Sequence, residues 1–363
     1  MDKKLKIAII GSRGYPYIYS GYETLVKELS ERLIIKGYSV RVYCHSSLFS
    51  KKPKFVNGIE LVYTPSIETK FLSQIINSFF SFIHVCLSNI DVILVLNSAN
   101  GPFGILTKIF RKKTCINVDG LEWLRPKWKG LGSLYFKAAS KLSTIMFDQI
   151  ITDSDHMRNI YLKKFNTDST VIAYGSTMDK SNEDNFLKKF SLNKKQFYLI
   201  VGRLIPDNNS YLIIKGFINS GSKKKLVIVG DVPYTDSYSK SVKLLQNEKI
   251  ILTGYINSQA VLAQLYNNCL AYFHGHEFGG TNPTMINAIK LNCNIIALET
   301  FFSKEMLKNV PSYFFTKKVN SISEIIKRFE NEHSTKKELK YRLSNKYCWD
   351  KITNQYIHLF KKL

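Results

Sequence analysis

The segment from His274 to Asn287 combines a Gly-rich turn with the start of a helix. A short apolar run leads into the turn, and an amphipathic stretch follows Pro283. Thr281 or Asn282 can cap that helix, and proline suits its first turn. Because a helix N-terminus presents free N–H groups and a positive dipole end, the turn can bind a phosphate. An ordinary connection between a strand and a helix is the alternative interpretation. The backbone N–H groups that would face a ligand belong to Gly279, Gly280 and Thr281.

A single arginine stands at the end of a second apolar run. Residues 197–201 are apolar, and Gly202 and Arg203 follow them directly. A guanidinium in this position can bind a diphosphate through two parallel hydrogen bonds. A surface arginine without a ligand is the alternative, but the position directly after a buried strand and a glycine favours the functional interpretation.

Two carboxylates, Asp119 and Glu122, follow a third apolar run. A carboxylate at a strand end can orient or deprotonate a hydroxyl group of a second substrate. A loop carboxylate that caps a helix is an equally weighted alternative. Arg125 and residues 127–129 add basic and aromatic side chains, which suit a membrane headgroup layer or a lipid diphosphate. A solvated loop is the competing interpretation of that stretch.

Glycines also flank the loop before the first predicted helix. Gly11, Gly14 and Gly21 allow the backbone to approach a ligand closely. Their spacing is not that of a dinucleotide-binding fingerprint, and a plain flexible loop is the alternative.

The sequence predicts no metal site. His274 and His276 can face one side of an extended segment, but two histidines without further ligands bind a metal poorly. Asp153 and Asp155 have the D-x-D spacing of some metal sites, yet they open a predicted helix, so helix capping explains them better.

The composition is that of a folded, strongly basic protein. The chain has 363 residues, of which 45% are hydrophobic and 22% charged, so it can form about two domains with buried cores. The formal net charge of +24 fits nucleic acids, anionic membranes or phosphorylated substrates. The sequence has no basic stripe interleaved with aromatic residues that would support nucleic-acid binding, so we predict no nucleic-acid partner. Six scattered cysteines without C-x-x-C spacing indicate reduced thiols.

Apolar stretches in the sequence are too short to cross a membrane. None reaches the roughly 18 uncharged residues that span a bilayer, and residues 71–87 predict a core or interfacial helix instead. The apolar run at 7–10 is too short for the core of a signal peptide, so we expect a cytoplasmic protein.

Short apolar runs alternate with amphipathic stretches along almost the whole chain. This alternation predicts parallel sheets wrapped by helices, an α/β architecture. A charged, Asn-rich segment interrupts it at residues 179–195. We therefore expect two doubly wound domains, at 1–178 and 179–345, that face each other across a cleft, and a terminal helix at 346–363. Ligands of such domains bind beyond the carboxyl ends of the strands, where the strand order reverses.

Several sequence blocks, taken together, resemble the glycosyltransferase family 4 group with the GT-B fold, and within it the rhamnosyltransferase-like branch. The block at 118–123 and the block that contains His-Gly-His and Gly-Gly-Thr-Asn-Pro are the most specific to that branch. The remaining matches are common to the wider superfamily. The matching blocks are 11–16, 21–24, 118–123, 152–154, 171–175, 201–204 with 208–209, 227–234, 254–255 and 274–283.

The resemblance implies a fold and an activity. The second domain would bind a nucleotide sugar, expected to be dTDP-L-rhamnose, and the first domain would bind a lipid-linked saccharide used in cell-surface polysaccharide synthesis. Transfer would retain the anomeric configuration and need no metal or other cofactor. The terminal helix would cross back to the first domain. The protein would act peripherally at the anionic inner face of the cell membrane.

The resemblance also implies roles for single residues. Arg203 and the turn before Pro283 would stabilise the departing diphosphate, and Asp119 would lie near the attacking hydroxyl. Tyr234 and Tyr255 would stack on the nucleotide base. The complete expected donor site contains Gly14, Asn208, Gly230, Tyr234, Tyr255, His276, Gly279, Gly280, Thr281, Asn282 and Asn287. The expected acceptor site contains Tyr22, Glu23, Glu122, Trp123 and Arg125.

One residue departs from the family pattern. The family has a glutamate that contacts the nucleotide ribose where this chain has Asn287. An amide still forms hydrogen bonds, but it lacks the charge-assisted acceptor that holds two ribose hydroxyls. The alternative function is therefore a weakened or inactive GT-B paralogue that acts as a binding or scaffold protein.

Overall fold

The computed structural model describes residues 4–16, 21–67, 72–125, 130–181, 183–232, 236–333 and 345–363. The chain divides into two compact units. The first contains residues 1–175 together with 346–363, and the second contains residues 176–345.

An eight-stranded sheet forms the core of the first unit. Its strands are β1 (Lys6–Ile10), β2 (Ser39–His45), β3 (Phe55–Val56), β4 (Ile59–Thr64), β5 (Val92–Leu96), β6 (Lys113–Asn117), β7 (Gln149–Thr152) and β8 (Thr170–Val171). Their spatial order is β3-β4-β2-β1-β5-β6-β7-β8, and only the β3–β4 pair is antiparallel. All five residues of β5 are buried, as expected for a central strand of a parallel sheet with helices on both faces.

Five helices of the first unit connect these strands. They are α1 (Gly21–Ile35), α2 (Leu72–Cys86), α3 (Gly104–Ile109), α4 (Leu131–Met146) and α5 (Asp155–Phe165). The apolar face predicted for α1 is buried and includes Leu25, Leu29 and Leu33. Gly37 ends this helix with a φ of 79°, and the N–H of Tyr38 donates to the Leu33 carbonyl at 2.9 Å. This left-handed glycine is a common helix terminator.

The second unit has a six-stranded, fully parallel sheet. Its strands are β9 (Phe197–Val201), β10 (Lys225–Val229), β11 (Ile250–Gly254), β12 (Ala271–His274), β13 (Ile295–Leu298) and β14 (Ser312–Phe315). Their spatial order is β11-β10-β9-β12-β13-β14, so the strand order reverses between β9 and β12. The helices are α6 (Asn185–Lys189), α7 (Ser210–Ser220), α8 (Ser237–Lys243), α9 (Gln259–Asn268), α10 (Pro283–Lys290), α11 (Phe301–Met306) and α12 (Val319–His333).

The terminal helix α13 (Trp349–Lys362) is part of the first unit. Trp349 is 3% exposed, and its indole lies so close to Gly175 that a Cβ there would be 2.7 Å from the ring. The hydroxyl of Tyr356 accepts a hydrogen bond of 3.2 Å from Asn117 at the end of β6. The helix therefore packs into the core beside the carboxyl ends of the strands.

Most of the helices and strands agree with the sequence pattern, and the exceptions are short or contain proline. The helix expected at 101–110 begins as a 3₁₀ helix at Ser98–Phe103, which contains Pro102, and continues as α3. The sequence does not predict β3, α11 or β14. Each has at most six residues, which is too short for apolar periodicity to be distinguished from a loop.

Replacement of Trp349 by alanine is expected to destabilise the first unit. Removal of a buried indole leaves a cavity beside Gly175, and the free energy of unfolding should fall by about 3–5 kcal/mol. Chemical denaturation followed by circular dichroism measures this change. Lys351→Ala is the control, since this lysine is exposed on the same helix. An equal effect of the two substitutions would contradict the assignment of α13 to this core.

Candidate functional site

In the second unit, two loops leave adjacent strands at the point where the strand order reverses. Strand β9 pairs with β12, so the chain that leaves β9 at Gly202 lies beside the chain that leaves β12 at Gly275. Ligands of doubly wound sheets bind in the crevice at this point. The residues predicted at both strand ends, Arg203 and His276, therefore belong to one edge of one sheet.

Close backbone contacts hold these loops together. A Cβ at Gly230, whose φ is 134°, would collide with the carbonyl oxygen of Gly202. A Cβ at Gly275 would collide with the carbonyl oxygen of Asn208. Only glycine fits at either position, because any side chain would separate the loops. Gly230 thus brings the end of β10 against the end of β9.

Two asparagines complete the connection between the loops. Asn208 is buried, and its amide nitrogen donates to the carbonyl oxygen of Arg203 at 2.8 Å. Asn209 donates to the Gly275 carbonyl and to a carboxylate oxygen of Glu277, both at 2.8 Å. The Asn208 amide, which was expected at the donor, is therefore bound to the backbone of the loop that carries Arg203.

The Arg203 side chain is exposed at this edge. It forms no hydrogen bond or ion pair with any residue that the structure describes. Its backbone is fixed by Asn208, so the guanidinium extends from a rigid base. Because the guanidinium has no partner among the described residues, it can bind an anion without first breaking an internal ion pair.

His274 and His276 stack on each other, with ring centroids 4.5 Å apart and ring planes at 17°. This confirms the prediction that they share one side of the segment. The Nδ1 atom of His274 lies 3.0 Å from the hydroxyl of Tyr272, which in turn lies 2.8 Å from the hydroxyl of Thr284. Burial, and to a lesser extent His276, lower the pKa of His274 well below its usual value, so this ring is neutral at pH 7.

The N-terminus of α10 lies next in the chain and has the predicted capping. Asn282 is the N-cap, its side-chain oxygen accepts from the N–H of Thr284 at 3.0 Å, and Pro283 occupies the first turn. Gly279 has a φ of 118°, and the space where its Cβ would be is open. Within the described part of the chain, the N–H groups of Gly279 and Gly280 have no hydrogen-bond acceptor. They are available to a ligand, whereas the N–H of Asn282 is directed at the sulfur of Met306.

The remaining expected donor residues have different surroundings. The amide oxygen of Asn287 accepts a hydrogen bond of 2.5 Å from the hydroxyl of Ser176. Tyr255 follows β11 and is 68% exposed, which is compatible with stacking on a planar ring. Tyr234 lies outside the described residues. Gly14 belongs to the first unit and packs against Cys44, so that a Cβ would be 2.7 Å from the sulfur.

In the first unit, Asp119 lies in a buried cluster of polar side chains beyond β6. Its N–H donates to Asn117 at 3.0 Å, and its carbonyl oxygen accepts from the hydroxyl of Tyr22 at 2.9 Å. Burial raises the pKa of the Asp119 carboxyl, although interactions with Tyr174 and Arg125 oppose the rise. The hydroxyl of Tyr174 is buried and interacts with this carboxylate. The cluster can therefore offer both a carboxylate and a hydroxyl donor.

Asp153 was missed as a member of this cluster. The sequence interpretation gave residues 153–155 a helix-capping role. Ser154 does cap α5 and accepts from the N–H of Met157 at 3.2 Å, whereas Asp153 lies outside the cap. Asp153 is 1% exposed and interacts with the Asp119 carboxyl. Both aspartates follow adjacent parallel strands, β6 and β7, and that shared position is the signal that could have paired them.

The residues expected to contact an acceptor mostly bind one another. Glu122 forms an ion pair of 3.0 Å with Arg125, and both side chains are largely buried. Trp123 is buried and packs edge-to-face against Tyr161, with ring centroids 6.3 Å apart. These three side chains stabilise the loop after Asp119 in this structure.

Glu23, another expected acceptor residue, also makes an internal contact. It is 3% exposed, and its carboxylate accepts from the N–H of Arg13 at 2.9 Å. The contact joins the first turn of α1 to the Gly-rich loop after β1.

Neither a metal centre nor a membrane span is found in the described ranges. No group of three or more His, Cys, Asp or Glu residues there could hold a metal ion. No helix there is both long and apolar enough to cross a bilayer. All six cysteines are free, and only Cys348 is exposed.

Two family matches divide the chain at nearly the same place as the structure does. Residues 4–177 match a domain of unknown function, DUF1972, and residues 181–346 match the family described as glycosyl transferases group 1. No curated protein sequence matches the chain.

Several solved structures share the fold over nearly the full length. Sucrose-phosphate synthase from Thermosynechococcus elongatus is 14% identical with a TM-score of 0.81, and the match covers 99% of each chain. HepE from Anabaena in complex with UDP-glucose is 14% identical with a TM-score of 0.77, over 99% of this chain and 100% of the other. The catalytic domain of starch synthase IV from Arabidopsis thaliana, bound to ADP and acarbose, is 12% identical with a TM-score of 0.73, over 99% of each chain.

These similarities confirm the predicted α/β fold of the GT-B type, with two Rossmann-like units. Residues 4–177 are thus a DUF1972 domain, residues 181–346 are a group 1 glycosyltransferase domain, and the chain is a glycosyltransferase of the GT-B type.

Proposed function

We propose that the chain transfers a hexose-type sugar, L-rhamnose, from dTDP-L-rhamnose to a lipid-linked saccharide at the inner face of the cell membrane. The supporting observation is that Arg203, after β9, and the N–H groups of Gly279 and Gly280, after the neighbouring strand β12, have no partner among the described residues. These donors follow the two strands between which the order of the second sheet reverses. The HepE structure contains UDP-glucose, which supports a nucleotide sugar as the donor class.

Charge stabilisation of the leaving group is the main catalytic role of the second unit. As the bond between the sugar and the diphosphate breaks, negative charge accumulates on the departing phosphate. Arg203 would bind the phosphate oxygens, and the N-terminus of α10 would add two N–H donors and a positive dipole end. These groups supply the positive potential for departure without a metal ion. His276 would lie beside the sugar and not beside the departing phosphate.

The first unit would bind the acceptor. The Asp119 carboxylate would orient or deprotonate the attacking hydroxyl, and the Tyr174 hydroxyl would donate to an acceptor oxygen. The hydroxyl would attack on the face from which the nucleotide leaves, so that the anomeric configuration is retained. The internal contacts of Glu23 and of the Glu122–Arg125 pair would keep this cluster rigid.

A non-catalytic scaffold is the second candidate, and Asn287 is the observation that favours it. This residue replaces the ribose-binding glutamate of the family resemblance, and its amide oxygen is bound by Ser176. A scaffold would bind saccharide or protein partners but release no nucleotide.

Incubation with dTDP-L-rhamnose, a panel of other nucleotide sugars and a lipid-linked saccharide tests the proposed activity directly. Formation of a glycosylated lipid and release of a nucleoside diphosphate is the expected result. Neither transfer nor donor hydrolysis with any donor in the panel would contradict an enzymatic function.

Replacement of Arg203 by alanine should reduce kcat about a hundredfold or more, because the lost interaction forms chiefly with the leaving group. Arg203→Lys should retain part of the activity, since it keeps the charge and loses the paired donors. Arg158→Ala is the matched control, because Arg158 on α5 is a partly exposed arginine that is paired with Asp168. Wild-type turnover in Arg203→Ala would remove this arginine from the site.

The pH dependence of kcat/KM should report on Asp119. Burial raises the pKa of its carboxyl, and activity requires the carboxylate form. The rate should therefore decline as the pH falls. The pH of half-maximal rate should lie above about 4, the usual carboxyl pKa. Asp119→Asn should abolish this acid limb and lower the rate. Asp168→Asn, at an exposed carboxylate, should leave the profile unchanged. An acid limb that persists in Asp119→Asn would assign it to another group.

Substitution of Asn287 separates the two candidate functions. If the chain is an enzyme, the wild type binds nucleotide sugar, and Asn287→Glu tightens binding by adding a charge-assisted acceptor for ribose hydroxyls. Calorimetric titration with dTDP-L-rhamnose measures the difference, with Asn287→Gln as the control for side-chain length. Donor binding that appears only in Asn287→Glu would favour the scaffold.

A further inference from the structure

Exposed apolar side chains are concentrated on three consecutive helices of the first unit. Eleven of the twenty large apolar side chains that are exposed among the described residues lie on α2, α3 and α4 or directly after them. Single exposed apolar residues are normal on a protein surface, whereas a concentration of them marks an interaction site.

Helix α2 contributes a continuous stripe. Ile75, Phe79, Ile83 and Leu87 are spaced by four residues, so they lie above one another on one face. All four are exposed, from 38% at Ile83 to 72% at Leu87. The opposite face of the helix contains Ser81 and Val85 and is buried against the sheet.

The neighbouring helices extend this stripe sideways. Helix α3 packs against both α2 and α4, so the three helices form one layer. Ile105 and Ile109 on α3 are 51% and 67% exposed. Leu131 and Leu134 in the first turn of α4 are 85% and 63% exposed. We call the exposed side chains of these three helices the α2–α4 face.

The charge of the α2–α4 face has a single sign. None of the three helices contains an aspartate or glutamate. Lys108 on α3, Arg111 just after it, and Lys137 and Lys141 on α4 are all exposed. Apolar side chains with surrounding cations fit the boundary between the headgroups and acyl chains of an anionic bilayer, where lysine and arginine reach the phosphates.

We propose that the α2–α4 face docks the protein on the surface of an anionic lipid bilayer. The apolar side chains of α2 and α3 enter the headgroup layer, and the surrounding lysines and arginines bind lipid phosphates. The choice of a lipid surface rests on the proposed function, since a lipid-linked acceptor is available only at a membrane. Docking also brings the first unit to its substrate.

Sedimentation with vesicles tests this surface independently of catalysis. The full chain is mixed with vesicles of phosphatidylcholine alone or with added phosphatidylglycerol. We expect binding to the anionic vesicles that weakens as salt is added, because screening reduces the attraction of the cations. The triple substitution Ile83→Ser, Ile109→Ser and Leu134→Ser should weaken binding about tenfold or more, since these side chains lose the transfer of apolar area from water. Lys108→Gln with Arg111→Gln should weaken binding to anionic vesicles alone.

The matched control changes three exposed apolar residues elsewhere, Leu162→Ser, Ile218→Ser and Leu244→Ser. It should bind vesicles as the wild type does. Equal binding of both triple variants, or no vesicle binding by the wild type, would overturn the proposal. Self-association that only the first triple variant abolishes, without vesicle binding, would assign the face to an interface between two copies.

Activity on a detergent-solubilised acceptor keeps this proposal distinct from the proposed function. Both triple variants should match the wild type in this assay, because no substituted residue belongs to either site. Vesicle binding without any transfer would count against the enzyme and support the docking surface. Transfer without vesicle binding would support the enzyme and overturn the docking surface.

Discussion

The proposed function of the second unit depends on hydrogen-bond donors that have no acceptor within the described protein. Several polar side chains around the switch point of the sheet have internal partners. Asn208 binds the backbone of Arg203, Asn209 connects the two loops, and Tyr272 joins the histidines to Thr284. Arg203 and the N–H groups of Gly279 and Gly280 are exceptions within the described structure. Donors without acceptors at the end of a parallel sheet are the physical basis of the proposed diphosphate site.

The glycines explain how the donors remain available. Gly230 and Gly275 allow neighbouring loops to touch through their backbones, so the loops are rigid without any help from Arg203. A larger residue at either position would separate the loops and move the arginine. His274 at the end of β12 is buried, and this burial lowers its pKa because the charged ring would lose its hydration.

The sequence predicts the parts of this molecule that depend on local chemistry. The capping of α10, the stacked histidines and the strand end before Arg203 each follow from neighbouring residues, and the structure agrees. The partners of these groups could not be predicted, because they come from distant parts of the chain. Asp153 is next to Asp119 only because β6 pairs with β7. Trp123, expected at an acceptor, is buried because α5 supplies aromatic neighbours for it.

Binding of nucleotides with one or two phosphates tests the central claim most directly. A ligand that binds only the native state raises the midpoint of thermal unfolding. At equal concentration, dTDP should therefore raise this midpoint clearly more than dTMP does. The difference should disappear in Arg203→Ala, which lacks the guanidinium for the second phosphate. Equal shifts for dTDP and dTMP in the wild type, or an unchanged difference in Arg203→Ala, would contradict a diphosphate site at the end of β9.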